Sequence, residues 1–193
     1  GMLSPSQVSE SDPQRGVVLL GGLSKHFHWS NDDVVRQVHK IVLEAPRQQW
    51  QIIDSRRTPN ELREHLQLPD YAKYVHWRDT QPSWLTHQLS RSSATWVTPD
   101  SASMVYEALS FSGQVGVIEL GAKRRNNKLA NGIRRLHALG YVGLSAKGPL
   151  SQQNLNAVAL AEHRRCAKLI MQRWFSALLK QDERLSNHGG DAK

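Results

Sequence analysis

Val17-Val18-Leu19-Leu20-Gly21-Gly22-Leu23-Ser24-Lys25 and Ala94-Thr95-Trp96-Val97-Thr98-Pro99-Asp100-Ser101-Ala102-Ser103 share one pattern: a short β-rich run, a turn of small residues, and the start of a helical stretch. An apolar run without alternation is what a strand buried on both faces looks like, and parallel sheets supply that burial. A helix start exposes unpaired backbone N–H groups and a partial positive charge. Small residues ahead of it let a diphosphate approach them closely. These two turns decide the fold class and the place to look for a ligand.

The same alternation extends outward along the chain. Ser30 is a candidate N-cap followed by Asp32 and Asp33, and Val34, Val35, Val38, Ile41 and Val42 share one helical face that Pro46 terminates. Trp50 to Asp54 reads as a second strand, and Thr58-Pro59-Asn60-Glu61 as a capping box with proline at the first helical position. A strand near Tyr74 to Trp77, a helix carrying Trp84, Leu85, Gln88 and Leu89, and the strand Ala94 to Thr98 follow. Asp100 or Ser101 caps the next helix, which carries Met104, Val105 and Ala108 and ends near Gly113. Val115 to Leu120 is a fifth strand, Lys128 to Leu139 a basic helix stopped by Gly140, Tyr141 to Leu144 a short strand, and a long helix starts near Pro149 or Ser151. Alternation without hairpin signals predicts the α/β class: a three-layer α/β/α Rossmann-like parallel sheet of about six strands. In such sheets ligands bind outside the carboxyl ends of the strands, where both turns lie.

With 193 residues, 39% of them apolar, the chain can fill one core. No apolar run approaches the roughly 20 residues of a membrane span. Cys166 is the only cysteine, so an internal disulfide is excluded, and the chain reads as cytoplasmic. Gly1 ahead of Met2 reads as a tag scar, residues 1–16 as scar and flexible linker, 17–181 as the Rossmann-like domain and 182–193 as a disordered tail. Charge divides unevenly: residues 1–120 carry 11 basic and 13 acidic side chains, residues 121–193 carry 14 and 4. The second segment suits an anionic partner, whether nucleic acid, a lipid surface, nucleotide phosphate or an acidic domain, or is a solvated basic face. Lys123-Arg124-Arg125 and Arg134-Arg135 bring no nucleic-acid motif or interleaved aromatics, so nucleic acid is the least favoured of these.

The first turn has neither the spacing of a dinucleotide fingerprint nor that of a P-loop, which disfavours hydride transfer and nucleoside triphosphate hydrolysis. Gly21 and Gly22 permit close backbone approach, Ser24 offers a hydroxyl and Lys25 a point charge; the alternative is an ordinary tight βα turn. Arg56 and Arg57 end the second strand and would be satisfied by a phosphate, or one faces solvent while the other pairs with Asp54 or Glu61. In the second turn Asp100, being anionic, is expected to cap the helix, while Ser101, Ala102 and Ser103 form its start. Glu107 lies among Met104, Ala108 and Phe111 and needs a donor, either ribose hydroxyls or Arg124 or Arg125. His26 and His28 lack companions at metal-ligand spacing, so no metal and no resident cofactor are expected. Cys166 beside Arg164 and Arg165 reads as packing rather than as a nucleophile, and no catalytic residue emerges. The final helix places Leu155, Val158, Leu169, Ile170, Trp174, Phe175 and Leu178 on one apolar face with basic residues around it. It suits packing on the protein's own body or another domain, and peripheral contact with a membrane surface is compatible with it.

Val18 to His26, Ser55 to Pro59 and Val97 to Ala108, taken in order, resemble the mitochondrial fission ELM family over about residues 17–178. More remotely, residues 94–120 are similar to the carboxyl-terminal, nucleotide-sugar-binding half of GT-B glycosyltransferases. That second resemblance implies roles: Gly22 and Ser24 face the diphosphate, Ser101 and Ala102 donate backbone N–H groups to it, Glu107 binds the ribose, and His76-Trp77-Arg78 meets the base chiefly through backbone. Asp100 departs from the pattern, which has a small polar residue there. The resemblance also implies a missing amino-terminal acceptor half, as a preceding domain or a partner chain packed on the final helix. The partner it implies is a nucleoside diphosphate or nucleotide sugar, and any activity would be glycosyltransferase-like. The competing expectation is a non-catalytic interaction or scaffold module.

Overall fold

A computed structural model describes residues 12–81, 83–111, 113–153 and 155. The elements run β1 (Asp12–Leu19), α1 (Asn31–Glu44), β2 (Gln49–Ile53), α2 (Leu62–His65), β3 (Ala72–Val75), α3 (Trp84–Arg91), β4 (Ser92–Val97), α4 (Ala102–Phe111), β5 (Gln114–Val117), α5 (Lys128–Ala138) and β6 (Gly143–Leu144). All strands pair parallel in one six-stranded sheet of order β3-β2-β1-β4-β5-β6. The chain builds outward from β1 to β3, then returns to the other side of β1. Right-handed crossovers running in opposite directions place their helices on opposite faces, so the fold is the three-layer α/β/α arrangement expected.

The strand alternation explains the unbroken apolar run. Val18 and Leu20 pack with Val34, Val38, Ile41 and Val42 of α1 and Leu62 of α2, whereas Val17 and Leu19 pack with Leu89 of α3, Val105, Ala108 and Leu109 of α4 and Ile133 of α5. Successive residues of one strand thus feed two cores. Helix α1 begins as its sequence indicates, with Ser30 Oγ accepting from Asp33 N–H at 3.3 Å. Helix α5 is capped by Asn127, whose side-chain oxygen accepts from Leu129 and Ala130 N–H, and is followed by Gly140 at φ 74°.

Three expectations require correction. The first strand starts at Asp12 rather than Val17: Arg15 pairs with Gln49 and Asp12 with Ser92, so residues 12–16 are sheet and not linker. Backbone pairing needs no apolar side chain, and a sequence pattern therefore cannot see it. The capping box at Thr58 does not form. Thr58 Oγ1 instead donates to the carbonyls that end β1, at Leu20 and Gly21, and accepts from Ser55 N–H at 2.9 Å; α2 starts only at Leu62 with no side-chain cap. Residues Leu150–Gln152 form a 3₁₀ turn where the long helix was expected to begin. Leu155 packs on the α1-side core. The rest of the expected helix, with Cys166, and the tail 182–193 lie outside the described residues.

Candidate functional site

The strand order reverses between β1 and β4, and the crevice beyond their carboxyl ends is where an open α/β sheet takes its ligand. Both small-residue turns meet there. Gly21 N–H donates to Thr98 Oγ1 at 2.7 Å, and Gly22 N–H donates to Asp100 Oδ2 at 3.0 Å. The same Oδ2 receives Arg57 Nη2 at 2.8 Å. Asp100 therefore does not cap α4: its carboxylate, with side-chain exposure 0%, lies between the two turns, while Arg57 remains 42% exposed. A Cβ at Gly21 would overlap that carboxylate and one at Gly22 the Arg57 carbonyl. The close approach that glycine permits is used by the protein itself at both positions.

Ser24 Oγ accepts from His26 and Phe27 N–H, each at 3.2 Å, and closes a local turn. The loop after β5 docks on that turn: Lys123 Nζ donates to the Ser24 carbonyl at 2.8 Å, Asn127 Nδ2 to the His26 carbonyl at 2.7 Å, and Phe27 bridges Ala122. Lys25, Arg56, Arg124 and Arg125 stay exposed around the rim. The expected pairing of one arginine with Asp54 or Glu61 does not occur: Arg57 pairs with Asp100 and donates to the Leu23 carbonyl at 3.2 Å, while Arg56 is exposed.

Helix α4 begins at Ala102, with the Ser101 carbonyl accepting from Val105 N–H at 3.3 Å and Ser101 and Ser103 hydroxyls 3.0 Å apart. Among the described residues no acceptor meets Ala102 or Ser103 N–H. Glu107 is half-buried on the same helix, and burial pushes its carboxyl above the usual range. No described residue gives it a hydrogen bond or ion pair, so the expected Arg124 or Arg125 partner is not found. Trp77 opens a 3₁₀ turn, Trp77–Asp79, and is half-buried with the Arg78 guanidinium 5.1 Å from its ring centre.

Two features escaped sequence reading. Asp54, buried at the end of β2, accepts from Tyr74 Oη at 2.7 Å, His76 Nδ1 at 2.6 Å and Trp77 N–H at 2.6 Å. The Asp54 carboxylate and burial push the Tyr74 hydroxyl far up, burial contributing most. The available signal was that Tyr74 and His76, two apart on an extended segment, share a face. The second feature is a cavity of about 310 Å³ between the carboxyl ends of β4 and β5 and helix α5, lined by Phe27, Pro99, Leu120, Ile133, Arg134 and His137 among others. His137 Nδ1 donates to the Val142 carbonyl at 2.9 Å, which fixes its ring on the cavity wall. Among the described residues no helix is long and apolar enough to cross a membrane.

No curated protein matches the sequence. A crystal structure of AnUbiX (PadA1) in complex with FMN and dimethylallyl pyrophosphate is similar at 11% identity and a TM-score of 0.36, over 69% of this chain and 77% of that one. So low a score supports no functional argument. The model of the family described as Mitochondrial fission ELM1 matches residues 3–174, which spans all three motifs that carry the resemblance and all six strands of the sheet. The chain belongs to the mitochondrial fission ELM1 family.

Proposed function

We propose that this chain binds a nucleoside diphosphate, free or carrying a sugar, along the carboxyl rim of its sheet, as the donor half of a GT-B-like protein. The observation that carries the reading is Glu107: a half-buried carboxylate without a described partner, on the helix whose first N–H groups also lack acceptors among the described residues. Ribose hydroxyls supply what the carboxylate lacks, and phosphate oxygens supply what the helix start lacks. In this reading Ser101, Ala102 and Ser103 hold the diphosphate and the exposed Lys25 and Arg56 neutralise it. Trp77 borders the base, and the adjoining cavity receives the remainder of the ligand. Helix N–H groups and arginine would stabilise a departing diphosphate by charge alone. The acceptor side belongs to a partner half, a preceding domain or a second chain, at a cytoplasmic or peripheral membrane location.

A scaffold reading is favoured by one observation: the glycine turn at the switch point has its N–H groups satisfied by Thr98 and Asp100. Titration with nucleoside diphosphates, followed by backbone amide NMR, separates the two. The donor reading expects shifts at residues 101–103 and about tenfold weaker binding for Glu107→Ala, since a hydrogen bond to a charged group contributes about 1.5–3 kcal/mol. Unmoved amides at millimolar nucleotide leave the scaffold reading.

A further inference from the structure

We propose that Asp100 is a resident anion: it occupies the place a ligand phosphate would take at the glycine turn, engages Arg57 there, and so sets how strongly the rim binds diphosphates. The inference rests on the donor reading for its ligand class, but its mechanism stands on the crevice geometry. A carboxylate is an acceptor-only anion, as a phosphate oxygen is. Asp100 Oδ2 takes the Gly22 N–H at 3.0 Å and the Arg57 Nη2 at 2.8 Å, the donors an incoming phosphate would seek. The space left by the missing Cβ at Gly21 is filled by this carboxylate.

The pairing is incomplete on one side. Asp100 Oδ1 is buried without any hydrogen-bond partner among the described residues, in a residue 5% exposed overall. A buried carboxylate with one oxygen unsatisfied is held by its partners rather than by its surroundings, so Arg57 and the Gly22 N–H together stabilise it, and Arg57 alone supplies opposite charge. Arg57 itself is 42% exposed, and a guanidinium has five N–H donors in a planar fork. Its partner Asp100 stands two positions ahead of the helix start at Ala102. A diphosphate at that start thus meets a guanidinium whose charge is already offset by Asp100. Neutralising Asp100 without changing its shape would release the full cationic charge to the ligand.

The test compares the wild-type chain with Asp100→Asn and Arg57→Gln, each titrated with inorganic pyrophosphate by calorimetry. Asn keeps an oxygen for Gly22 and Arg57, and Asp100→Ser serves where Asn impairs folding. The expected result is at least fivefold tighter pyrophosphate binding in the Asp100 variant and no gain in Arg57→Gln. Equal or weaker binding in the Asp100 variant overturns the proposal. The wild-type chain gives an independent measure: the Arg57 side-chain NMR signals should move on pyrophosphate binding. Shifts at residues 101–103 with an unmoved Arg57 also overturn it. Tighter pyrophosphate binding together with no nucleoside diphosphate binding in any variant sinks the donor reading and leaves the resident anion standing. No binding of pyrophosphate to any variant overturns the resident anion, while the donor reading stands or falls on the nucleoside diphosphate titration.

Discussion

The two turns at the rim are built from similar residues and end in opposite states. At Gly21 and Gly22 both N–H groups find acceptors, the glycines' missing side chains are filled by Asp100 and by the Arg57 backbone, and an ion pair closes the space. At the second turn, Ala102 and Ser103 N–H meet no described acceptor and Glu107 no described donor. Small residues at a helix start give access. Whether that access serves a ligand depends on what else the fold brings there, and leftover hydrogen-bonding capacity is the better marker of a ligand surface than glycine content.

That contrast can be attacked at each end. The largest effect belongs to the closed turn: Gly22→Ala drives a Cβ into the Arg57 carbonyl, and backbone cannot yield as a side chain tip would. A loss of about 3 kcal/mol or more is expected from such overpacking, read as a lower urea midpoint, whereas a wild-type midpoint would mean the turn is slack. Next comes Asp54→Ala, which strands Tyr74 Oη, His76 Nδ1 and Trp77 N–H. About 2 kcal/mol should be lost, because removing an acceptor leaves three part-buried donors unpaired. Altered Trp77 fluorescence would report a displaced turn; unchanged stability and emission would show that Asp54 does not position it.

The smallest effect lies at the open region. Burial raises the Glu107 carboxyl, so the folded chain holds its proton to higher pH than the unfolded chain does. Stability from this group is therefore lost as pH climbs through the folded value, not gained. Glu107→Gln should match wild type in acid and exceed it modestly at neutral pH, within about 0.5 kcal/mol. A variant less stable than wild type at pH 7 would point to a partner for Glu107 beyond the described residues. Saturating nucleotide should erase the difference if ribose hydroxyls satisfy the carboxylate.

Several features were legible from local pattern because local physics decides them. The Val17 to Leu20 run, the α1 stripe from Val34 to Val42 and the Ser30 cap all survive, since burial periodicity and a capping hydroxyl act within one or two turns of chain. The capping box at Thr58 had the right letters and failed, because the carbonyls at the end of β1 offered its hydroxyl a long-range alternative. Asp100 departs from its expected capping role for the same reason. The donors to its carboxylate, Gly22 and Arg57, lie 78 and 43 positions away in sequence, beyond any local window around residue 100.

The amino-acid order alone settled that this chain alternates strand and helix, that its strands are buried on both faces, and that two small-residue turns follow strands at one rim; against expectation only the second opens a helix, since α1 starts at Asn31. Periodicity and steric freedom are properties of a few neighbouring residues, so they can be read in one dimension. Only the folded sheet decided which of those turns is satisfied from within and which keeps donors and a carboxylate to spare. Hydrogen-bond satisfaction is settled among groups that the topology of β1, β2 and β4 brings together, and no stretch of sequence holds all the competitors at once.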